Sequence, residues 1–268
     1  MSTMLHHQPH PHPEVEGPIE EHPITPAGRI LDHPLMVALF VVAAIGGGII
    51  AGFEDGTIPL TWDDPIQRWV QDQRNDEWGD LFRMWSRLGS NAVIFSFAAV
   101  LAVIASRRSK ILALTILGAA LTRPVFEFVV KDVIGRPRPE IDQLVPGTGF
   151  SNPSGHVLAS IALYGLVPAV VALFARRAIW WWVTAAVVVV VVVPMVAISR
   201  VYLGVHWPTD VVAGIVLGTL YLLAVEWVFV RLLRRFPGHH ESDAWQHLIH
   251  PRRTLVEHHG EEHAGRRG

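Results

Sequence analysis

Long apolar stretches separated by short charged connections set the pattern of this chain. Residues 34–53 form an uncharged run long enough to cross a bilayer as a helix, which takes about 20 residues. Further apolar stretches cover 88–106, 111–130, 157–175, 179–198 and 211–230. Buried helices of soluble proteins rarely stay apolar for so long, so six membrane spans are expected, with no room for a separate soluble domain. The valine run 187–193 has the composition of a strand, yet the stretch around it has spanning length, and helix is the better assignment. The pattern predicts an all-α polytopic membrane protein with a six-transmembrane-helix bundle over 34–230. A disordered, His- and Pro-rich cytoplasmic tail is expected over 1–33, and a basic, His-rich cytoplasmic tail over 231–268.

Between the first two stretches, Asp63-Asp64-Pro65 has the acidic residues and proline of a helix start. Trp78, Leu81, Phe82 and Trp85 then recur at helical spacing. This predicts a short amphipathic helix in the first outer loop; a helix packed on the bundle fits the same spacing. Trp180, Trp181 and Trp182 read as an interfacial belt.

Charge placement gives an orientation. Arg107, Arg108 and Lys110 occupy one short connection and Arg176 and Arg177 another, while Arg231, Arg234 and Arg235 follow the last stretch. Short Lys/Arg-rich loops stay cytoplasmic, which places both chain ends inside. Arg68, Arg74, Arg83 and Arg87 in the longer first outer loop oppose this, but that loop is also acidic. Residues 1–33 contain no apolar core, so no cleavable signal peptide is expected, and the first span would act as an uncleaved anchor. The chain has no cysteine, which excludes disulfides and thiolate metal sites. Its net charge of -2 gives no sign of nucleic-acid binding. The tail histidines show no ligand spacing that would support a structural metal site.

Three short motifs sit between the apolar stretches: Lys131-x6-Arg138-Pro139, Pro153-Ser154-Gly155-His156 and Ser199-Arg200-x5-His206-x3-Asp210. The first two lie between the third and fourth stretches. The fourth crosses away and the fifth returns, so the third motif meets them on the same membrane face. Ser154 and Gly155 stand at a helix start, where free N–H groups and a partial positive charge suit a phosphate. Lys131, Arg138 and Arg200 would surround the phosphate oxygens and stabilise transition-state charge. His206 is the nucleophile candidate, because Asp210 four residues on can fix its tautomer. His156 would protonate the leaving group and then activate water. Arg136 sits in the same loop as Arg138, and its roles at the site or against lipid headgroups stay open. Arg123, Glu127 and Lys131, four apart, suit an ion-pair row inside the bundle, and any part Arg123 or Glu127 takes in the site stays open.

The eleven residues that these motifs specify resemble those of the type 2 phosphatidic acid phosphatase and vanadium haloperoxidase superfamily. The resemblance covers roughly residues 34 to 230 and implies a helical bundle, a phosphohistidine intermediate and no metal or other cofactor. The expected function is a multi-pass plasma-membrane phosphatase acting on a lipid phosphate or diphosphate at the extracytoplasmic face. Candidate substrates are phosphatidic acid, phosphatidylglycerophosphate and polyprenyl diphosphates, with membrane lipids as surroundings and no nucleic-acid partner. Two other classes stay in view: a lipid-binding or transport protein on the same bundle, and a vanadate-dependent haloperoxidase. The first would be free to lose His156, His206 or Asp210, and this chain has all three. The second resembles soluble enzymes, which six spans argue against.

Overall fold

The computed structural model describes residues 62–174 and 179–236. The 34–53 run, the 1–33 tail, the Arg176-Arg177 connection and the chain beyond residue 236 lie outside the described residues. Nine α-helices are described: α1 (Asp63–Asp72), α2 (Asp76–Leu88), α3 (Asn91–Ser106), α4 (Lys110–Ile134), α5 (Gly155–Tyr164), α6 (Val167–Phe174), α7 (Ile179–Val187), α8 (Val193–Tyr202) and α9 (Pro208–Arg235). No strand occurs among the described residues. The valine run is helical, with a π-helical turn at Val188–Val192 joining α7 to α8.

Four helical stretches are long and apolar enough to cross a membrane: Lys110–Ile134, Gly155–Phe174, Ile179–Tyr202 and Pro208–Arg235. They correspond to the third to sixth apolar stretches of the sequence. The second stretch is the 16-residue helix α3, which becomes a fifth span only if counted together with α2 across a 47° bend. The bend has a local cause. The first helix ends at Gly89, and Ser90, its hydroxyl donating to Arg87 O at 2.7 Å, serves as the N-cap of α3.

The region after Asp63 forms two helices where one was expected. Asn75 starts the second by accepting the Trp78 N–H at 2.9 Å. Both helices grip the end of α8. Gln67 Nε2 donates to Val201 O at 2.9 Å, Arg74 Nε to Tyr202 O at 2.9 Å, and the rings of Phe82 and Tyr202 lie 4.4 Å apart. Trp78, one turn before Phe82 with their rings stacked at 6.0 Å, is half exposed.

The main core joins α3 and α4 through small residues. Ala98, Ala102 and Ala105 face Leu112, Ile116, Ala119 and Ala120, with Leu163, Tyr164 and Phe229 closing the cluster. On the other side of α4, Leu114, Leu117, Leu121, Val125 and Phe128 form an exposed stripe at helical spacing. Such a stripe would be a liability in water and is ordinary against lipid.

Helix α5 is the innermost element, buried along nearly all its length. Two glycines of α9 make this possible. A Cβ at Gly214 would lie 2.9 Å from Ser154 O, and one at Gly218 would lie 3.1 Å from Leu158 Cα. Small residues four apart let the two backbones approach, as in membrane helix pairs generally. This approach brings the start of α5 beside the start of α9.

Gly214→Ala should therefore destabilise the bundle by about 1–3 kcal/mol, since backbone must move to admit the methyl. Gly118→Ala, which meets nothing within 4 Å, should leave stability unchanged or raise it by up to about 1 kcal/mol. Thermal unfolding of the two variants in detergent measures the contrast; equal melting temperatures would refute the close-packing account.

Candidate active site

Each motif sits where a helix stops or starts. Helix α4 ends at Gly135, whose φ of 61° is left-handed and whose N–H bonds back to Lys131 O at 2.9 Å. Lys131 is thereby held in the last helical turn, and the chain turns into the Arg136-Pro137-Arg138-Pro139 loop. Prolines at alternate positions keep this loop from continuing the helix. Ser151 fastens it, its N–H donating to Arg136 O at 2.8 Å and its hydroxyl to Pro137 O at 2.9 Å. Helix α5 then begins at its N-cap Ser154, whose N–H donates to Asp210 O at 2.9 Å. That bond joins the second motif to the third. The first-turn N–H groups of α5 have no partner inside the helix.

The third motif is split between two elements. Ser199 and Arg200 lie in α8, which runs on to Tyr202. His206 lies in the turn that follows, and Asp210 lies in the first turn of α9. Asp210 therefore does not reach His206 across one helical turn, as the spacing suggested. Asp210 caps its own helix, its Oδ2 accepting the Trp207 N–H at 2.9 Å. The same oxygen faces His206 Nδ1 at 3.5 Å. At this separation no hydrogen bond is formed, and Nδ1 of His206 has no protein partner.

Both carboxylate oxygens of Asp210 are held. Arg136 Nη1 donates to Oδ1 at 2.6 Å, and Asp210 is fully buried. Arg136, which the sequence left undecided, is thus bonded to a motif residue. On the other face of His206, Arg138 Nη1 lies 3.5 Å from Nε2. The Arg138 guanidinium is anchored on carbonyls, donating to Val205 O at 2.6 Å, Thr148 O at 2.7 Å and Gly149 O at 3.0 Å.

Helix α8 points Arg200 toward the same region, 6 % exposed, with Nη1 bonded to Ser86 Oγ at 2.5 Å. Arg200 Nε and Ser154 Oγ are buried without a protein hydrogen-bond partner. Ser199, by contrast, spends its hydroxyl on Val196 O within its own helix. Lys131 Nζ pairs with Glu127 Oε1 at 2.9 Å, and Arg123 Nη1 pairs with Glu127 Oε2 at 2.5 Å. The Glu127 carboxylate lies against Gly155, where a Cβ would come 1.9 Å from Oε1. Arg200, His206 and Lys131 all lie near His156.

All eight expected site residues therefore gather at one end of the bundle. Sequence reasoning did not find Ser86 and Thr209 there, and read Asp63 only as a helix start. Their contacts join positions far apart in the chain. A cleft of about 600 Å³ borders the site at Arg138 and Trp207, with α1 forming its far wall. Among the described residues, no group of three or more His, Asp or Glu side chains is arranged to hold a metal.

Electrostatics favour a neutral His206. Burial lowers its pKa from 6.5 to about 4, with Arg200 and Arg138 adding to the effect and Asp210 opposing it. Burial also lowers the Arg138 guanidinium, while Asp210 and Glu127 raise it. Because His206 is neutral in the fold and takes a proton more readily when unfolded, its contribution to stability is lost as pH falls from about 6.5 toward 4. NMR of 15N-labelled histidine, assigned with His206→Asn, should show the ring still neutral at about pH 5.5. A midpoint near 6.5 would mean that the ring is open to water.

The sequence profile of the PAP2 superfamily matches residues 110–234. The chain is 33 % identical over 108 residues to phosphatidylglycerophosphatase B of Bacillus subtilis, covering 40 % of this chain and 53 % of that protein. It is also 33 % identical over 139 residues to undecaprenyl-diphosphatase of Sulfolobus acidocaldarius, covering 52 % of this chain and 54 % of the other. The chain thus spans about half the length of the curated relatives it matches. Its fold is similar to the crystal structure of a transmembrane PAP2 type phosphatidylglycerolphosphate phosphatase from Bacillus subtilis, with a TM-score of 0.64. That likeness covers 74 % of this chain and 96 % of the other at 24 % identity, and so concerns the fold alone. The chain is a membrane protein whose residues 110–234, carrying all three motifs, belong to the PAP2 superfamily.

Proposed function

We propose that the chain is an integral membrane phosphatase that hydrolyses a lipid phosphate or diphosphate through a phosphohistidine and releases inorganic phosphate. The substrate class is that of phosphatidic acid, phosphatidylglycerophosphate or a polyprenyl diphosphate, the last two matching the names of the relatives. The observation that carries this reading is the setting of His206. One ring nitrogen faces a buried carboxylate, and the other lies 3.5 Å from a guanidinium that is already anchored.

In the proposed reaction the Nε2 lone pair of His206 attacks phosphorus and the P–O bond to the lipid breaks. His156 gives its proton to the departing oxygen. A water then attacks the phosphohistidine and loses its proton to His156, and the P–N bond breaks to release phosphate. Arg138, Arg200, Lys131 and the N–H groups at Ser154-Gly155 hold the equatorial oxygens. Anchoring Arg138 beforehand means that little reorganisation is needed as charge develops. A lipid-binding protein would have no use for a neutral imidazole held between carboxylate and guanidinium.

Phosphate release by the purified full chain across a panel of these lipids, with EDTA present, tests both substrate and metal independence. Rapid-quench labelling with mass spectrometry assigns the histidines. His206→Ala should form no phosphoenzyme. His156→Ala should accumulate one from an aryl phosphate, whose leaving group needs little protonation. Phosphate found on His156 of the wild type, or activity lost in EDTA and restored by magnesium, would overturn the assignment.

The same reading comprises six spans, with 34–53 as the first, and an amphipathic surface region between the first two. Both chain ends are cytoplasmic, and the site faces the outside of the plasma membrane. The Arg-rich 107–110 turn supports this orientation. The chain has no cysteine, so single cysteines at the exposed positions Arg107 and Thr148 report topology cleanly. In intact cells an impermeant thiol reagent should label Thr148→Cys and spare Arg107→Cys; the reverse pattern inverts the orientation.

A further inference from the structure

We propose that Asp63, at the start of α1, is a positioning residue that sets the orientation of His206 through Arg136 and Asp210. The inference rests on the reading of His206 as the nucleophile. An acidic residue in a first helical turn ordinarily stays at the surface, where the helix dipole is enough to favour it. Asp63 is 2 % exposed and reaches across to the start of α9. Its Oδ1 accepts the Thr209 N–H at 3.0 Å, and its Oδ2 accepts the Thr209 hydroxyl at 2.5 Å and Arg136 Nη2 at 2.7 Å.

Arg136 uses its other terminal nitrogen on the catalytic side. Nη1 donates to Thr209 Oγ1 at 2.6 Å and to Asp210 Oδ1 at 2.6 Å. One planar guanidinium thus spans two buried carboxylates, and fixing one of its ends fixes the plane of the whole fork. The Trp207 ring lies under it, 5.4 Å from Cζ. With Oδ1 pinned by Arg136 and Oδ2 by the Trp207 N–H, the Asp210 carboxylate cannot turn, and Oδ2 stays toward His206 Nδ1. Asp63 never approaches the imidazole. It acts by aiming the group that aims Asp210.

A structural ion pair alone would predict lost stability with turnover intact in whatever protein still folds. The positioning role predicts a loss in kcat that depends on Asp210. We would measure kcat and KM of the detergent-purified full chain with an aryl phosphate and with phosphatidic acid, for Asp63→Asn, Asp210→Asn and the double variant. Asp63→Asn should lower kcat about tenfold or more, because small misplacements of catalytic groups are costly, and should leave KM nearly unchanged. In the Asp210→Asn background the same change should have little further effect, since groups acting as one unit are non-additive.

If Asp63→Asn does not fold, Arg136→Lys takes its place. Lysine keeps a cation against Asp63 but is a single-point donor that cannot span both carboxylates, so the same Asp210-dependent loss is expected. Unchanged kcat in the folded variant, or an equal fold-loss with and without Asp210, would overturn the proposal while leaving the phosphohistidine reading intact. Full turnover in His206→Ala would instead remove the reading beneath it.

Discussion

A carboxylate with no access to solvent, Asp210, is the constraint on which this structure depends. A buried charge must be paired and hydrogen-bonded, and removing one partner of such a pair costs about 3–5 kcal/mol. That is a large share of the roughly 5–15 kcal/mol that holds a typical protein folded. Asp210 meets this demand with parts drawn from across the chain. Its side chain takes Arg136 from the first motif loop and the Trp207 N–H from its own helix, and its main-chain carbonyl takes the Ser154 N–H from the second motif. Satisfying this one residue therefore joins segments of all three motifs.

Close backbone approach makes the assembly possible. The start of α5 can stand beside Asp210 because Gly214 and Gly218 admit it, and beside Glu127 because Gly155 has no side chain. The result is a helix N-terminus with a carboxylate against it and Lys131, Arg123 and Arg200 close by. Features that draw in a carboxylate draw in a phosphate for the same electrostatic reasons. The proposed phosphate site would thus take most of its donors from helix ends, with Arg138 added from the loop that follows α4.

His206 shows how burial and charge act together. Two nearby guanidiniums and exclusion of water keep the imidazole neutral, while Asp210 opposes them. Under the proposed mechanism a nucleophile needs its lone pair, so the groups proposed to bind phosphate would also keep the ring ready to attack. The 3.5 Å separation from Asp210 leaves the carboxylate as an orienting neighbour, its nearer oxygen already bonded to backbone.

The sequence by itself determined that the described part of the chain is helical, where its apolar stretches lie, and which residues gather at one site. Apolar length and motif spacing are local properties, written in adjacent letters, and Lys131, Arg138, His156, Arg200, His206 and Asp210 could be named from them. It misjudged the path from Asp210 to His206, because a cap and an i,i+4 helical pair share the same spacing. It could not tell that the region after Asp63 holds two helices, nor that Arg136 would bond to Asp210. Only the tertiary structure decided that Asp63 joins the site. Its bonds to Thr209 cross 146 positions of sequence, and a single carboxylate at a helix start carries no mark of the partner that will bury it. Pairing of buried charges is a demand on three-dimensional neighbours, and those neighbours exist only once the helices have packed.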